Sequence, residues 1–121
     1  YLVNEYGETS LPDVYAVGDC VMWPFQDKTI HVEHWEHAFY HGQAIAKNIV
    51  HAKSSAYTER PYFWTDQYDQ TFEYLGQAIN WHNTIVRGSL EDRQFCIAYV
   101  DEKNFLLYLP TTQKKEKMLL V

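Results

Sequence analysis

Cysteine is scarce in this 121-residue sequence: Cys20 and Cys96 stand far apart, with no C-x-x-C pair and no zinc-ligand spacing. That excludes a disulfide scaffold and a cysteine-based metal knuckle, and both thiols are expected to be reduced and structural. Basic residues are also in deficit, 10 Lys and Arg against 16 Asp and Glu, giving a net charge of -6 and a pI near 5.4. Such a balance argues against nucleic acid and anionic membrane surfaces as main partners. No apolar run approaches the roughly 20 residues that span a bilayer. The opening Tyr1-Leu2-Val3-Asn4-Glu5 lacks the basic and apolar regions of a signal peptide. The expectation is therefore a cytoplasmic protein, and because the first residue is Tyr1 rather than Met, a piece of a longer one. No nucleophile and base stand together in a motif, which argues against a hydrolase.

What is abundant is apolar and aromatic material: 46% hydrophobic and 17% aromatic residues, with 10 Tyr, 6 Phe and 4 Trp. This builds a core and rules out a disordered segment. A chain this short leaves much of its surface exposed, so many of the aromatics must face a partner domain or a ligand.

Leu2 to Glu5 reads as a short strand before a turn at Gly7. Val14-Tyr15-Ala16-Val17 reads as a compact buried strand, entered from Pro12-Asp13 and stopped by Gly18-Asp19. Pro24 to Lys28 reads as a loop. From Val32 to Ala52 the spacing predicts a helix, with Trp35, Ala38, Phe39, Gly42, Ala46 and Ile49 on its buried face. Lys53-Ser54-Ser55 is a polar connector, dividing residues 1–55 from 56–121. Beyond it, Pro61-Tyr62-Phe63-Trp64, Thr71 to Ile79, Asn83 to Arg87, Gln94 to Val100 and Phe105 to Leu109 are strand-like, with a hairpin turn at Asp101-Glu102-Lys103-Asn104. Gln113 to Val121 has the composition of a helix start. The fold class is α+β, with an antiparallel sheet in the second part.

Three groups of residues carry chemistry. Gly18 permits a tight turn at a strand end, where open sheets hold ligands, and Asp19 is then presented to accept hydrogen bonds from sugar or ribityl hydroxyls. Taken alone, the pair reads first as an ordinary strand-to-loop turn. Glu33, His34 and Trp35 stand at the helix start, where unpaired N–H groups and the helix dipole favour an electron-rich ligand edge. His34, His37 and His41 share a helix face, preceded by His31. Either they make a polar face or they are three ligands for zinc, although no H-E-x-x-H or E-x-x-H accompanies them. The third group, Tyr62-Phe63-Trp64, either fills a core or stacks on a planar ring.

The longer string Thr9-Ser10-Leu11-Pro12-Asp13-Val14-Tyr15-Ala16-Val17-Gly18-Asp19 resembles the second flavin-binding motif of the pyridine nucleotide-disulfide oxidoreductases, T-x-x-P-x-[IV]-[YF]-A-x-G-D. The passage Val32 to Ala38, with Gly42 and Ala46, is similar to the matching helix of apoptosis-inducing factor and of rubredoxin and ferredoxin reductases. Pro61-Tyr62-Phe63-Trp64-Thr65-Asp66, Tyr74-Leu75-Gly76 and Val86-Arg87-Gly88 resemble the C-terminal domain of that subgroup, with Ala98 standing where a second Phe is usual.

The resemblance implies that residues 1–55 end an FAD-binding domain and that 56–121 are a C-terminal reductase domain, shortened at its end. It implies an oxidoreductase passing electrons from NADH or NADPH through FAD to a ferredoxin, a rubredoxin or another small acceptor. In that picture Gly18 and Asp19 hold the ribityl chain. Glu33, His34 and Trp35 border the flavin ring, Trp64 lies by the flavin and nicotinamide rings, and no residue here is catalytic. Both G-x-G-x-x-G loops and any redox-active cysteine pair are absent, and would lie upstream in the FAD and NAD(P)H domains. The alternatives are a non-catalytic interaction module with an exposed aromatic face, or a redox-linked signalling protein similar to apoptosis-inducing factor.

Overall fold

A computed structural model of the chain describes residues 1–78, 80–100, 102 and 106–112, the last of these stretches through its backbone. The chain divides into two compact units, Tyr1–Pro61 and Tyr62–Val121.

In the first unit a hairpin of β1 (Met22–Phe25) and β2 (Lys28–His31) pairs Trp23 with Ile30 in register. The stretch Pro24 to Lys28, expected as a loop, is thus the tip of this hairpin. Pro24 is tolerated because its strand is short and lies in a two-stranded ribbon, where proline sacrifices little ladder bonding. The helix α1 spans Trp35–Val50, starting three residues later than its apolar spacing predicts. Leu2 contributes an isolated bridge to Met22 rather than a strand. Val14 to Val17 is likewise no buried strand. Thr9 donates to the Val14 carbonyl and Ala16 to that of Gly7, Tyr15 bridges only to Glu8, and Val14 and Val17 are exposed. Among the described residues the run has no flanking strands to cover it.

The core of this unit gathers Val3, Val21, Trp23, Ile30, Val32 and Tyr57, with Ala16, Phe25 and Ala44 packed against it. The helix turns His37, His41, Ile45 and Asn48 inward. This corrects the expected face: Trp35 is 71% exposed, Phe39 47% and Ile49 54%, so the Trp35–Phe39–Gly42–Ala46–Ile49 stripe points outward. Two stripes compete on this helix. The one with two imidazoles wins because those rings pack flat on Trp23 and Tyr57. Asn48 fastens the end of the helix to the next segment, its amide donating to the Ser55 carbonyl at 2.8 Å and its oxygen accepting from Ser55 N–H at 3.0 Å. Tyr57 N–H then bonds Glu5, so the chain remains in the first unit up to Pro61.

The second unit is a five-stranded antiparallel sheet of β3 (Tyr62–Gln67), β4 (Gln70–Leu75), β5 (Asn83–Ser89), β6 (Gln94–Val100) and β7 (Leu106–Thr112), in the order β3-β4-β7-β6-β5. Together with α1 it makes the chain α+β. Cys96 and Ala98 are buried on β6, while the edge strand β5 is exposed almost throughout. The strand β7 is described from Leu106 and continues beyond the expected Leu109 through Pro110 to Thr112. Of the expected Asp101–Asn104 turn only Glu102 is described, and the helix start over 113–121 lies outside the described residues. No described helix is long and apolar enough to cross a membrane.

Gly7 has φ +78°, and a Cβ there would stand 2.7 Å from Ile45 side-chain carbons. Gly7→Ala is expected to cost about 1–3 kcal/mol, combining left-handed strain with overpacking. A urea titration of the chain checks this, and an unchanged midpoint would contradict it.

Candidate functional site

Gly18 opens a short 3-10 turn, Gly18–Cys20, that leads into β1. Its φ is +75°, and a Cβ would meet Ala38 Cβ of α1 at 3.3 Å, so the residue supplies both the turn and the close approach to the helix. The buried Gly18 N–H donates to His41 Nδ1 at 3.2 Å. Asp19 follows, exposed, with its backbone carbonyl 2.6 Å from His31 Nε2 on β2. The turn is thus gripped between the hairpin and α1, and the Asp19 carboxylate is left at the surface.

The helix start lies beside it. His34 is the N-cap of α1 and makes no side-chain cap to the helix N–H groups. Its imidazole is held below the usual histidine range chiefly by burial, with the charge of Asp19 pulling the other way. Asp19 and His34 therefore belong to one neighbourhood. Glu33 precedes the helix and is exposed, its Oε1 3.6 Å from His31 Nε2. Trp35 projects outward and stacks on Phe39, ring centroids 5.5 Å apart and nearly parallel. Trp64 belongs to the second unit. It is half-exposed on β3, stacked near Tyr62 and opposite Glu73 in the ladder.

Behind the turn His37 and His41 join Trp23 and Tyr57, two rings that the sequence motifs did not single out, in one cluster. Trp23 stacks on His37 at 5.5 Å, His41 on Tyr57 at 4.6 Å, and Tyr57 Oη is 3.2 Å from His37 Nδ1. Burial pushes His37 down to about 4, against the opposing charge of Asp19. It pushes His41 down to about 4 as well, and Tyr57 up to about 12. All three are neutral at ordinary pH. The polar-face reading of these histidines is thus corrected for His37 and His41, which are core. No group of three metal-ligating side chains occurs among the described residues. The signal that locates the cluster is the spacing His37, His41, Ile45, Asn48, which marks an inward face once imidazole is counted as an aromatic ring.

The buried pair sets a pH dependence. Above about pH 6.5 both imidazoles are neutral in the folded and the unfolded chain. Below it the unfolded chain takes up protons that the folded one refuses, so stability falls from pH 6.5 toward about 4 and their contribution then levels off. The melting temperature is expected to drop across this window, while NMR shifts keep both rings neutral to about pH 5. Ring titrations centred near 6.5 in the folded chain would refute this.

Residues 62–118 match the family model described as Reductase C-terminal. The chain is 29% identical over 100 residues to human apoptosis-inducing factor 3, covering 80% of this chain and 16% of that protein. It is 33% identical over 101 residues to the 5,5'-dehydrodivanillate O-demethylase ferredoxin reductase subunit of Sphingobium sp., covering 81% and 24%. The fold is similar to the covalent putidaredoxin reductase–putidaredoxin complex, with a TM-score of 0.84 and 30% identity, covering 93% of this chain and 27% of that one. The chain therefore spans a quarter or less of the length of these two curated relatives. By sequence and by fold the chain is related to apoptosis-inducing factor 3 and the ferredoxin reductases, and its residues 62–118 belong to the Reductase C-terminal family.

Proposed function

We propose that the chain forms one wall of the flavin site in an FAD-dependent NAD(P)H oxidoreductase that delivers electrons to a ferredoxin-type protein. The observation that carries this reading is the Gly18 turn, which holds an exposed Asp19 beside the start of α1, where the His34 side chain caps no helix N–H. The residues fit the cofactor chemically. A carboxylate accepts hydrogen bonds from ribityl hydroxyls, and free helix N–H groups favour the electron-rich edge of a flavin. When bound, FAD would supply the redox chemistry, and the protein's contribution is orientation and electrostatics. In this reading Gly18 and Asp19 anchor the ribityl chain, and Glu33, His34 and Trp35 border the ring.

The first unit, Tyr1–Pro61, would end the FAD-binding domain and Tyr62–Val121 form the C-terminal reductase domain, with Trp64 its contribution beside the flavin and nicotinamide rings. The outward stripe of Trp35, Phe39, Ala46 and Ile49 is apolar enough to be covered by the FAD domain upstream. The relative whose structure includes putidaredoxin supports a small redox protein as the acceptor. The resemblance to apoptosis-inducing factor 3 keeps a redox-linked signalling role as the second reading.

A chain without the pyrophosphate loops forfeits most cofactor contacts, and such losses cost many powers of ten in affinity. The 121-residue chain is expected to stay colourless after incubation with FAD and desalting. In the full-length protein Asp19→Asn is expected to weaken FAD binding by about tenfold or more, read by flavin fluorescence. Wild-type affinity in Asp19→Asn would refute the placement of the cofactor.

A further inference from the structure

We propose that His41 is a positioning residue for the cofactor: its Nδ1 accepts the Gly18 N–H and locks the turn that presents Asp19 to the ribityl chain. The inference rests on the flavin reading above and names the device that makes the Asp19 wall rigid.

The Gly18 N–H is buried, and a buried backbone donor demands a partner. It finds one 23 residues along the chain, at His41 Nδ1, 3.2 Å away. An imidazole that accepts at Nδ1 must carry its proton on Nε2, so the contact selects one neutral tautomer. The ring has little freedom to leave this position. It is 1% exposed and packed against Tyr57 at 4.6 Å, His37 at 5.1 Å and Trp23 at 6.0 Å. One turn earlier on the same face, Ala38 comes so close to the turn that a Cβ on Gly18 would lie 3.3 Å from its own Cβ. Residues three apart on a helix are neighbours, so α1 leaves room only for glycine at Ala38 and ties the turn by the hydrogen bond at His41. From the other side His31 Nε2 holds the Asp19 carbonyl at 2.6 Å. Between these ties the backbone is kept at a left-handed φ and the carboxylate in place.

A protonated His41 has no lone pair to offer, so the lock also demands a neutral ring. The titratable groups around it are His37 on the same helix, Tyr57 on the following segment, and Asp19 in the turn, whose charge is felt at His37. Tyr57 is neutral, and burial outweighs Asp19 at His37, so no neighbour forces a proton onto His41. Burial keeps it neutral down to about pH 4. The turn is thus fixed by a contact that ordinary pH changes leave intact.

The direct test needs no variant. Two-bond proton–nitrogen correlations on the wild-type chain at pH 7 are expected to show His41 with Nδ1 bare and Nε2 protonated. The opposite tautomer would place two N–H groups face to face and would overturn the proposal.

In the full-length protein, His41→Leu removes the acceptor, whereas His41→Gln keeps an oxygen that can reach Gly18. His41→Leu is expected to raise the FAD dissociation constant about tenfold, the size of one lost hydrogen bond, and His41→Gln to recover it to within about threefold. Melting temperatures taken alongside separate positioning from packing. If the affinity of His41→Leu stays at the wild-type value, or if both variants lose affinity in step with melting temperature, the residue is only structural. Asp19→Asn run in parallel distinguishes the two levels. If Asp19→Asn binds FAD normally, the flavin reading falls and takes this proposal with it. If Asp19→Asn is impaired while His41→Leu is not, only His41 loses its role.

Discussion

The packing of four rings, Trp23 from β1, His37 and His41 from α1 and Tyr57 from the segment after the helix, stacked in two pairs and edge-on between Trp23 and Tyr57, is what the first unit depends on. It joins three pieces of chain distant in sequence, and it is dry enough to hold two imidazoles neutral. Aromatic pairs in offset or edge-on contact contribute beyond the area they bury. Here they also set the rotation of α1. With His37 and His41 inward, Ala38 must meet Gly18, His34 must stand at the helix start near Asp19, and Trp35 must point away. The geometry of the candidate site is therefore a consequence of how a few rings stack.

The parts of this arrangement legible in the sequence are those encoded locally. The Gly18-Asp19 turn is one, because a left-handed backbone at a close approach leaves glycine nearly the sole choice. The five strands of the second unit are another. They are signalled by β-branched and aromatic runs between turn residues, and Gln94–Val100 matches its expected bounds while the others shift by a few residues. The existence of α1 was also legible, although the helix starts three residues later and ends two earlier than its expected span of Val32 to Ala52.

The orientation of α1 was not. A hydrophobic count assigns Trp35, Phe39 and Ile49 to the core and leaves histidine outside, since histidine is ordinarily polar. Burial changes what imidazole is. A ring whose protonation is pushed down to about 4 behaves at neutral pH as a flat aromatic with one donor and one acceptor. Nothing in the local spacing signals that Trp23 and Tyr57 will provide the walls, because they come from other elements. The β1–β2 hairpin was hidden for a related reason: Pro24 reads as a breaker until the ribbon is seen to have only two strands. The strand expected at Val14 to Val17 shows the reverse error, since an apolar run becomes a buried strand only when neighbouring strands cover it.

Two electrostatic effects oppose each other next to Asp19, and the outcome bears on its chemistry. The carboxylate charge favours protonation of His34 and His37, while burial disfavours it, and burial is the larger effect at both. The reason is exposure. Asp19 sits at the surface, where water screens its field, whereas desolvation acts on the rings directly. Were the opposite true, a cationic imidazole would stand near the carboxylate and compete for its oxygens. Among the described residues no ion pair engages the Asp19 side chain, although His31 grips its backbone. Charge-assisted hydrogen bonds to neutral hydroxyls are strong when the carboxylate is otherwise uncommitted. The same burial that builds the ring cluster thus keeps Asp19 available, and one packing decision in the core sets both the position and the chemistry of the site at the surface.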